Sequence, residues 1–441
     1  MRIPHDFTMG VATAAYQIEG TNFGGCGVNH WDSFAKSGGT INGENGAIAC
    51  DHFHHWQTDL DLIKTAGFDS YRFSFSWPRL FPDEAKNPKG FDFYDRLIDG
   101  MLERGLSPSA TLYHWDLPER FAQNGGWENR DTADHFGDFA QSVGAAFGDR
   151  LDHVATINEP WCVAWLSHFL GHHAPGKTEL KSGALAMHNI LAAHAVGMSA
   201  LRTQNVQNLG IVLNMEYAQP ASDDVADFRA AQIYDGLYNR WFISAICKGE
   251  YPADILQYLE PHMPKNWQDD MAQISQKVDW LGLNYYTRAI IKDDQSGIFP
   301  FGETVRGPLD KTSMDWEIYP AGLNYFLQRI HDDYAPNLPL YVTENGMAWH
   351  DQTIAGKVSD QQRISYFESH IAAALKARQN GVALQGYYAW SLLDNFEWAF
   401  GYSERFGLVH VDFETQKRTP KDSWYWFQNL LSQRGTITKT A

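Results

Sequence analysis

A chain of 441 residues with 44% hydrophobic and 20% charged positions can bury roughly three quarters of its unfolded surface, and it is not disordered, collagen-like or coiled-coil. Its 35 Lys and Arg against 53 Asp and Glu give a net charge of -18 at pH 7, so nucleic acid and anionic membrane are poor partners. Aromatic residues reach 14%, with 16 Trp, 20 Tyr and 26 Phe, enough for a large aromatic core and for rings that face a ligand.

The first apolar stretch, 11–15, lies between Asp6 and Glu19 and is too short for a secretion signal. Apolar, β-branched or aromatic runs recur near 7–14, 69–75, 107–113, 153–158, 209–215, 280–286, 340–344 and 383–390. Helical patterns occupy most of the gaps, at 56–66, 91–103, 134–147, 184–202 and 361–378. Eight short strands, 38 to 71 residues apart and alternating with helices, predict an α/β protein of the (β/α)₈ TIM-barrel class with long loops at the C-terminal face of the strands. No composition shift or Gly/Ser linker divides it, so one catalytic domain over 1–441 is expected. A doubly wound sheet is the alternative, but no GxGxxG follows any strand.

The run 185–201 comes nearest to a membrane span, and His188, Asn189 and His194 interrupt it, so a soluble protein is expected. Cys26, Cys50, Cys162 and Cys247 form no CxxC pair, which points away from a disulfide framework or a Cys-based zinc site and towards a reducing cytoplasm. Segment 171–178 matches the phosphate-loop pattern GxxxxGK[ST], yet no strand precedes it, two His fill the loop, and Pro175 has no N–H to offer. The run His52, Phe53, His54, His55 lacks acidic or Cys partners at ligand spacing and reads as helix-entry and core histidines.

Two Glu stand at predicted strand ends, in TINEP at 156–160 and YVTENG at 341–346. Either alone is equally an N-cap or a loop charge. In a barrel, however, all strand C-termini converge, so Glu159 and Glu344 meet across the mouth despite the 185 residues between them. Paired carboxylates there are the equipment of glycoside hydrolysis. Trp115, Trp316 and Trp398 sit in polar, turn-like company, and flat apolar rings beside His and carboxylates suit a sugar.

Both signatures, with AYQIEG (15–20), ACDH (49–52), YRFS (71–74), YHWDLP (113–118), GLNYYT (282–287) and WSLLDNFEW (390–398), resemble the family 1 glycoside hydrolases, the β-glucosidase family, over about 7–420. The resemblance implies a retaining enzyme that removes terminal β-D-glucosyl residues, with β-galactosides and β-fucosides as side substrates. Position by position, it implies Glu159 as acid/base, Glu344 as nucleophile, Asn158 as donor to the sugar 2-hydroxyl, Arg72 and Tyr286 as holders of the nucleophile, and Asn284 behind them. Gln17, His114, Trp390, Glu397 and Trp398 would grip the non-reducing sugar, while Trp316, Trp165 and Phe406 would line the leaving-group side. No cofactor and no metal are implied. The partner is a small β-glucoside or cello-oligosaccharide, and assembly into a homo-oligomer stays open.

Electrostatics point the same way. Carboxylates about 5 Å apart at an effective dielectric of ~20 repel by roughly 3 kcal/mol, about 2 pKa units, so one ionises and holds the other protonated. A carboxylate beside Arg72 and Tyr286 is the one that stays charged. A sugar-binding relative without chemistry would not need both Glu, and a thioglucosidase of the myrosinase kind would lack Glu159. Relatives that act on 6-phosphorylated glycosides replace the Glu397-Trp398 pair, which is intact here. The Gly-rich stretch with Cys26 and Val28 departs from the family pattern and touches only loop shape.

Overall fold

The computed structural model describes residues 2–434 apart from 298, 301 and 352, so positions 1 and 435–441 of the expected domain lie outside the described residues. All eight anticipated strands are present: β1 (Thr8–Ala12), β2 (Ser70–Ser74), β3 (Ser107–Tyr113), β4 (His153–Asn158), β5 (Leu209–Asn214), β6 (Trp280–Asn284), β7 (Leu340–Asn345) and β8 (Leu384–Trp390). They pair in parallel in chain order, and β8 returns to β1, with Thr8 opposite Gly386, to close the barrel. Small and large side chains, among them Ala12, Ala155, Val212, Trp280, Tyr341 and Tyr388, fill it as a packed core.

The outer layer contains α1 (His52–Ala66), α2 (Pro88–Glu103), α3 (Asp131–Phe147), α4 (Leu180–Thr203), α5 (Trp241–Lys248), α6 (Pro320–Asp333), α7 (Gln361–Gln379) and α8 (Asp422–Ser432). The first four begin three or four residues before the apolar pattern does. Of these, only α2 is capped by a side chain, with Asn87 accepting the Lys89 N–H at 3.2 Å and Pro88 in the first helical position; the first turns of α1, α3 and α4 instead bury small or polar residues, among them His52, Thr132 and Ser182, which hydrophobic periodicity does not register.

Helix α4 is long and apolar enough to cross a bilayer, but most of it is buried inside the fold. Its interrupting residues are hydrogen-bonded there: His188 to Tyr251 at 2.8 Å, Asn189 to the Trp127 carbonyl at 3.0 Å, and His194 to Thr156 at 2.7 Å. The phosphate-loop look-alike precedes α4 without a strand. Its Lys177 pairs with Glu128 at 2.8 Å, and the N–H groups of Gly176 and Lys177 are donated to the carbonyls of His173 and Ser167. His52 pairs with Asp59 at 2.8 Å and His54 with Asp51 at 2.6 Å, as part of the helix entry.

Strand pairing is irregular at the β4–β5, β6–β7 and β7–β8 seams, and the shifts at the first two bear directly on the acids. The β4–β5 register shifts between Ala155 and Asn158, and the β6–β7 register shifts between Val342 and Glu344. Such shifts re-aim side chains at a barrel rim. Both fall immediately before a Glu of interest.

Candidate active site

Glu344 is the penultimate residue of β7, and Glu159 follows the last residue of β4 with a left-handed backbone, φ 52°. Trp115 and Trp398 share that conformation, at φ 77° and 49°. Three non-glycine residues held in a sparsely populated region around one cavity mark a site that the surrounding structure over-determines.

Arg72, on β2, donates from Nη1 to Glu344 Oε1 at 2.6 Å and from Nη2 to Asn158 Oδ1 at 2.7 Å. The Tyr286 hydroxyl donates to Glu344 Oε2 at 2.7 Å. Both oxygens of Glu344 are thus engaged, one by a cation. Glu159 has no such cation among its hydrogen-bond partners. Its Oε1 accepts from Asn284 Nδ2 at 2.7 Å, and its Oε2 accepts from the Cys162 thiol at 3.2 Å. Thr343 orients Asn284 by donating to its Oδ1 at 2.7 Å. The Trp115 indole donates to the Asn158 carbonyl at 2.9 Å, and Asn158 Nδ2 faces His114 Nε2 at 3.2 Å.

These contacts separate the two acids. Burial, then the charge of Glu344, pushes Glu159 up to about 8. Burial also raises Glu344, but the Arg72 charge and hydrogen bond, then Tyr286 and Asn284, oppose it. Glu344 is therefore the carboxylate and Glu159 the carboxylic acid. Burial and the Glu344 charge hold Tyr286 well above the usual phenol range, so it stays a donor, while burial and Arg72 keep His114 neutral.

A cavity of about 760 Å³ opens over this pair, lined by His114, Trp115, Tyr286, Trp316, Trp390, Glu397, Trp398 and Phe406 as well as Asn284 and both Glu. The His114 ring lies 5.8 Å from that of Trp390, and the Trp115 and Trp398 rings are 4.6 Å apart. Arg72 and Asn158 stand just behind the wall. Gln17 is fully buried there, donating to the Phe396 carbonyl at 2.8 Å and to Glu397 Oε2 at 3.4 Å.

Trp165 is a correction. It does not line the cavity; it is fully buried, 4.2 Å from Phe169 and 5.3 Å from Phe299. Trp161 takes the place expected for it, stacked on Tyr238 at 4.0 Å. In a regular helix the two Trp would share a face. A π-helical turn over Cys162–Leu166 intervenes and rotates the later residues away. The sequence reading also missed Glu216, just beyond β5 and on the cavity wall, where burial pushes its carboxyl to about 7 although Tyr234 donates to it. The strand-end rule that singled out Glu159 would have found it. His172 and His173, from the phosphate-loop look-alike, line the mouth.

The family model for glycosyl hydrolase family 1 matches residues 1–436. The chain is 46% identical over 440 residues to a beta-glucosidase of Agrobacterium sp., covering 98% of this chain and 95% of that protein. It is 39% identical over 463 residues to the bifunctional beta-D-glucosidase/beta-D-fucosidase of Bifidobacterium breve, covering 98% of each. The family 1 β-glucosidase of Thermotoga maritima in complex with isofagomine lactam superposes with a TM-score of 0.95 at 43% identity, covering 99% of each chain. A whole-chain match of this kind, over a closed barrel whose fourth and seventh strands each present a glutamate, places the chain in glycosyl hydrolase family 1.

Proposed function

We propose that this protein is a retaining β-glucosidase that hydrolyses terminal β-D-glucosyl residues, β-fucosides and β-galactosides included, with Glu344 as nucleophile and Glu159 as acid/base. The single observation that carries the assignment is the unequal pairing of the two acids: Arg72 and Tyr286 hold Glu344, whereas Glu159 has only Asn284 and a thiol. The names of the Agrobacterium and Bifidobacterium relatives, and of the Thermotoga β-glucosidase in complex with isofagomine lactam, support the substrate class.

In the first step the Glu344 carboxylate attacks the anomeric carbon as the Glu159 proton passes to the departing glycosidic oxygen. Esterification removes the charge of Glu344, which is a main reason Glu159 is a weak acid. Glu159, now ionised, takes a proton from water, which attacks the same carbon and releases Glu344. Asn158, fixed by Arg72, is placed to meet the sugar 2-hydroxyl. Trp316 and Phe406 offer an apolar wall to the aglycone, so cellobiose and short cello-oligosaccharides are the natural substrates under this reading, and the cytoplasm is where the enzyme would meet them.

The decisive experiment is Glu344→Gly. Turnover of 4-nitrophenyl β-D-glucoside should fall by several orders of magnitude, and added azide should restore some of it as the α-glucosyl azide. A β-azide, or undiminished turnover, would overturn the assignment.

A further inference from the structure

Glu159 is hydrogen-bonded on both carboxyl oxygens, and the two partners differ in kind. Oε1 receives a full amide N–H from Asn284 at 2.7 Å, which favours the carbonyl form at that oxygen and leaves the acid proton on Oε2. Beside Oε2, at 3.2 Å, stands the Cys162 sulfur. That sulfur is itself held: Asn214 Nδ2 donates to it at 3.5 Å and to the Tyr238 oxygen at 2.9 Å. Burial and the neighbouring Glu159 and Glu344 carboxyls keep the Cys162 thiol well above the usual thiol range, so it stays S–H. The residue lies three positions after Glu159, at the start of the π-helical turn Cys162–Leu166, and lines the cavity at 7% exposure.

We infer that Cys162 is a positioning residue for the proton donor, through which a relay from Tyr238 and Asn214 fixes the orientation of the transferring oxygen of Glu159. This rests on the reading of Glu159 as acid/base. The thiol suits both halves of the cycle. Towards the protonated acid, sulfur is a weak acceptor that does not compete with the glycosidic oxygen for the proton. Towards the ionised form it is a donor, and it stabilises the carboxylate that activates water. The other titratable or charged groups facing Glu159 are Glu344, Arg72, Tyr286, Tyr238 and Glu397, and Glu216 faces the thiol. None of them touches Oε2.

The test compares Cys162→Ala, which deletes the donor, with Cys162→Ser, which keeps a shorter and stronger one. The pH profile of kcat/KM is measured on cellobiose, whose leaving group needs the proton, and on 2,4-dinitrophenyl β-D-glucoside, whose leaving group does not. In Cys162→Ala the basic limb should move up by about half a pH unit, and cellobiose turnover should fall about tenfold while the dinitrophenyl substrate stays within about twofold. In Cys162→Ser the limb should move down and most cellobiose turnover should return, which also serves if the Ala variant folds poorly. An unmoved limb in both variants, or equal losses on the two substrates, overturns the inference. Glu159→Ala assayed alongside keeps the two levels apart: a selective loss on cellobiose there, with flat Cys162 variants, sinks only the role of Cys162. Equal losses in Glu159→Ala sink the acid/base reading itself.

Discussion

Glu397 meets the sugar pocket with Gln17 behind it and three further carboxyls, Glu344, Glu404 and Glu159, close enough that burial and their charges push it up to about 8. The cations nearby are committed, Arg72 to Glu344 at 2.6 Å and Arg405 to Asp394 at 2.8 Å. A dianionic 6-phosphate would enter this region without a counter-cation, and taking an unpaired charge out of water costs several kcal/mol per ion, about 3 kcal/mol or more. Hence kcat/KM for 4-nitrophenyl β-D-glucoside should exceed that for its 6-phosphate by at least about a hundredfold; a ratio near one would remove Glu397 from sugar selection. The same elevated acids shape stability. Glu159 and Glu397 near 8 and Glu216 near 7 bind protons in the fold that an unfolded Glu, at about 4.3, has already released, so stability falls as pH rises between these values. Glu159→Gln keeps the shape and cannot ionise. Its gain in Tm over the wild type should widen from pH 5 to pH 9 to at least about 2–4 °C, and a gap independent of pH would show that Glu159 carries no such penalty.

The strands that carry the chemistry are locked at their C-terminal ends by close backbone approach. A Cβ on Gly346, just after β7, would stand 1.8 Å from the Trp390 carbonyl oxygen at the end of β8. Gly346→Ala must therefore push apart the strand ends that bear Glu344 and Trp390. Calorimetry should show a loss of about 1–3 kcal/mol, with a fall in kcat that a remote destabilising change would not produce; an unchanged Tm and rate would mean the strand ends yield freely. This scale also shows how far the sequence could be read. Buried parallel strands are continuous apolar runs, so all eight were visible, and with them the two Glu at strand ends. The register shifts before Glu159 and Glu344 leave no trace in hydrophobicity, because a bulge changes pairing and not composition. The π-helical turn after Pro160 is equally silent, and it exchanged Trp165 for Trp161 on the cavity wall. Glu216 was legible from its place after a strand, but its neighbours form no motif that draws the eye.

Across the whole molecule, the loops above β7 and β8 are joined to the two last helices by a buried ion network. Asp351, Asp360 and Asp394 are matched there by Arg363, Arg405 and Lys421. Lys421, fully buried, contacts Asp351 and lies 2.7 Å from Asp394, and burial and the neighbouring Arg363 lower its pKa despite both acids. Lys421→Met would leave two buried carboxylates short of a counter-charge, at a cost of about 3–5 kcal/mol. The expected readout is a Tm lower by several degrees, whereas an unchanged Tm would mean that the network relaxes around the loss. Strand order has a consequence of another kind. β2, β4 and β7 supply the cation, the acid and the nucleophile, and only the return of β8 to β1 completes the ring that holds them. Helices need contacts of short sequence separation, but this closure joins residues almost a chain length apart, the slowest type of encounter for a folding polypeptide. During refolding, helical signal should thus return ahead of sugar release, and the first hydrolysed glucoside times the moment the ring shuts.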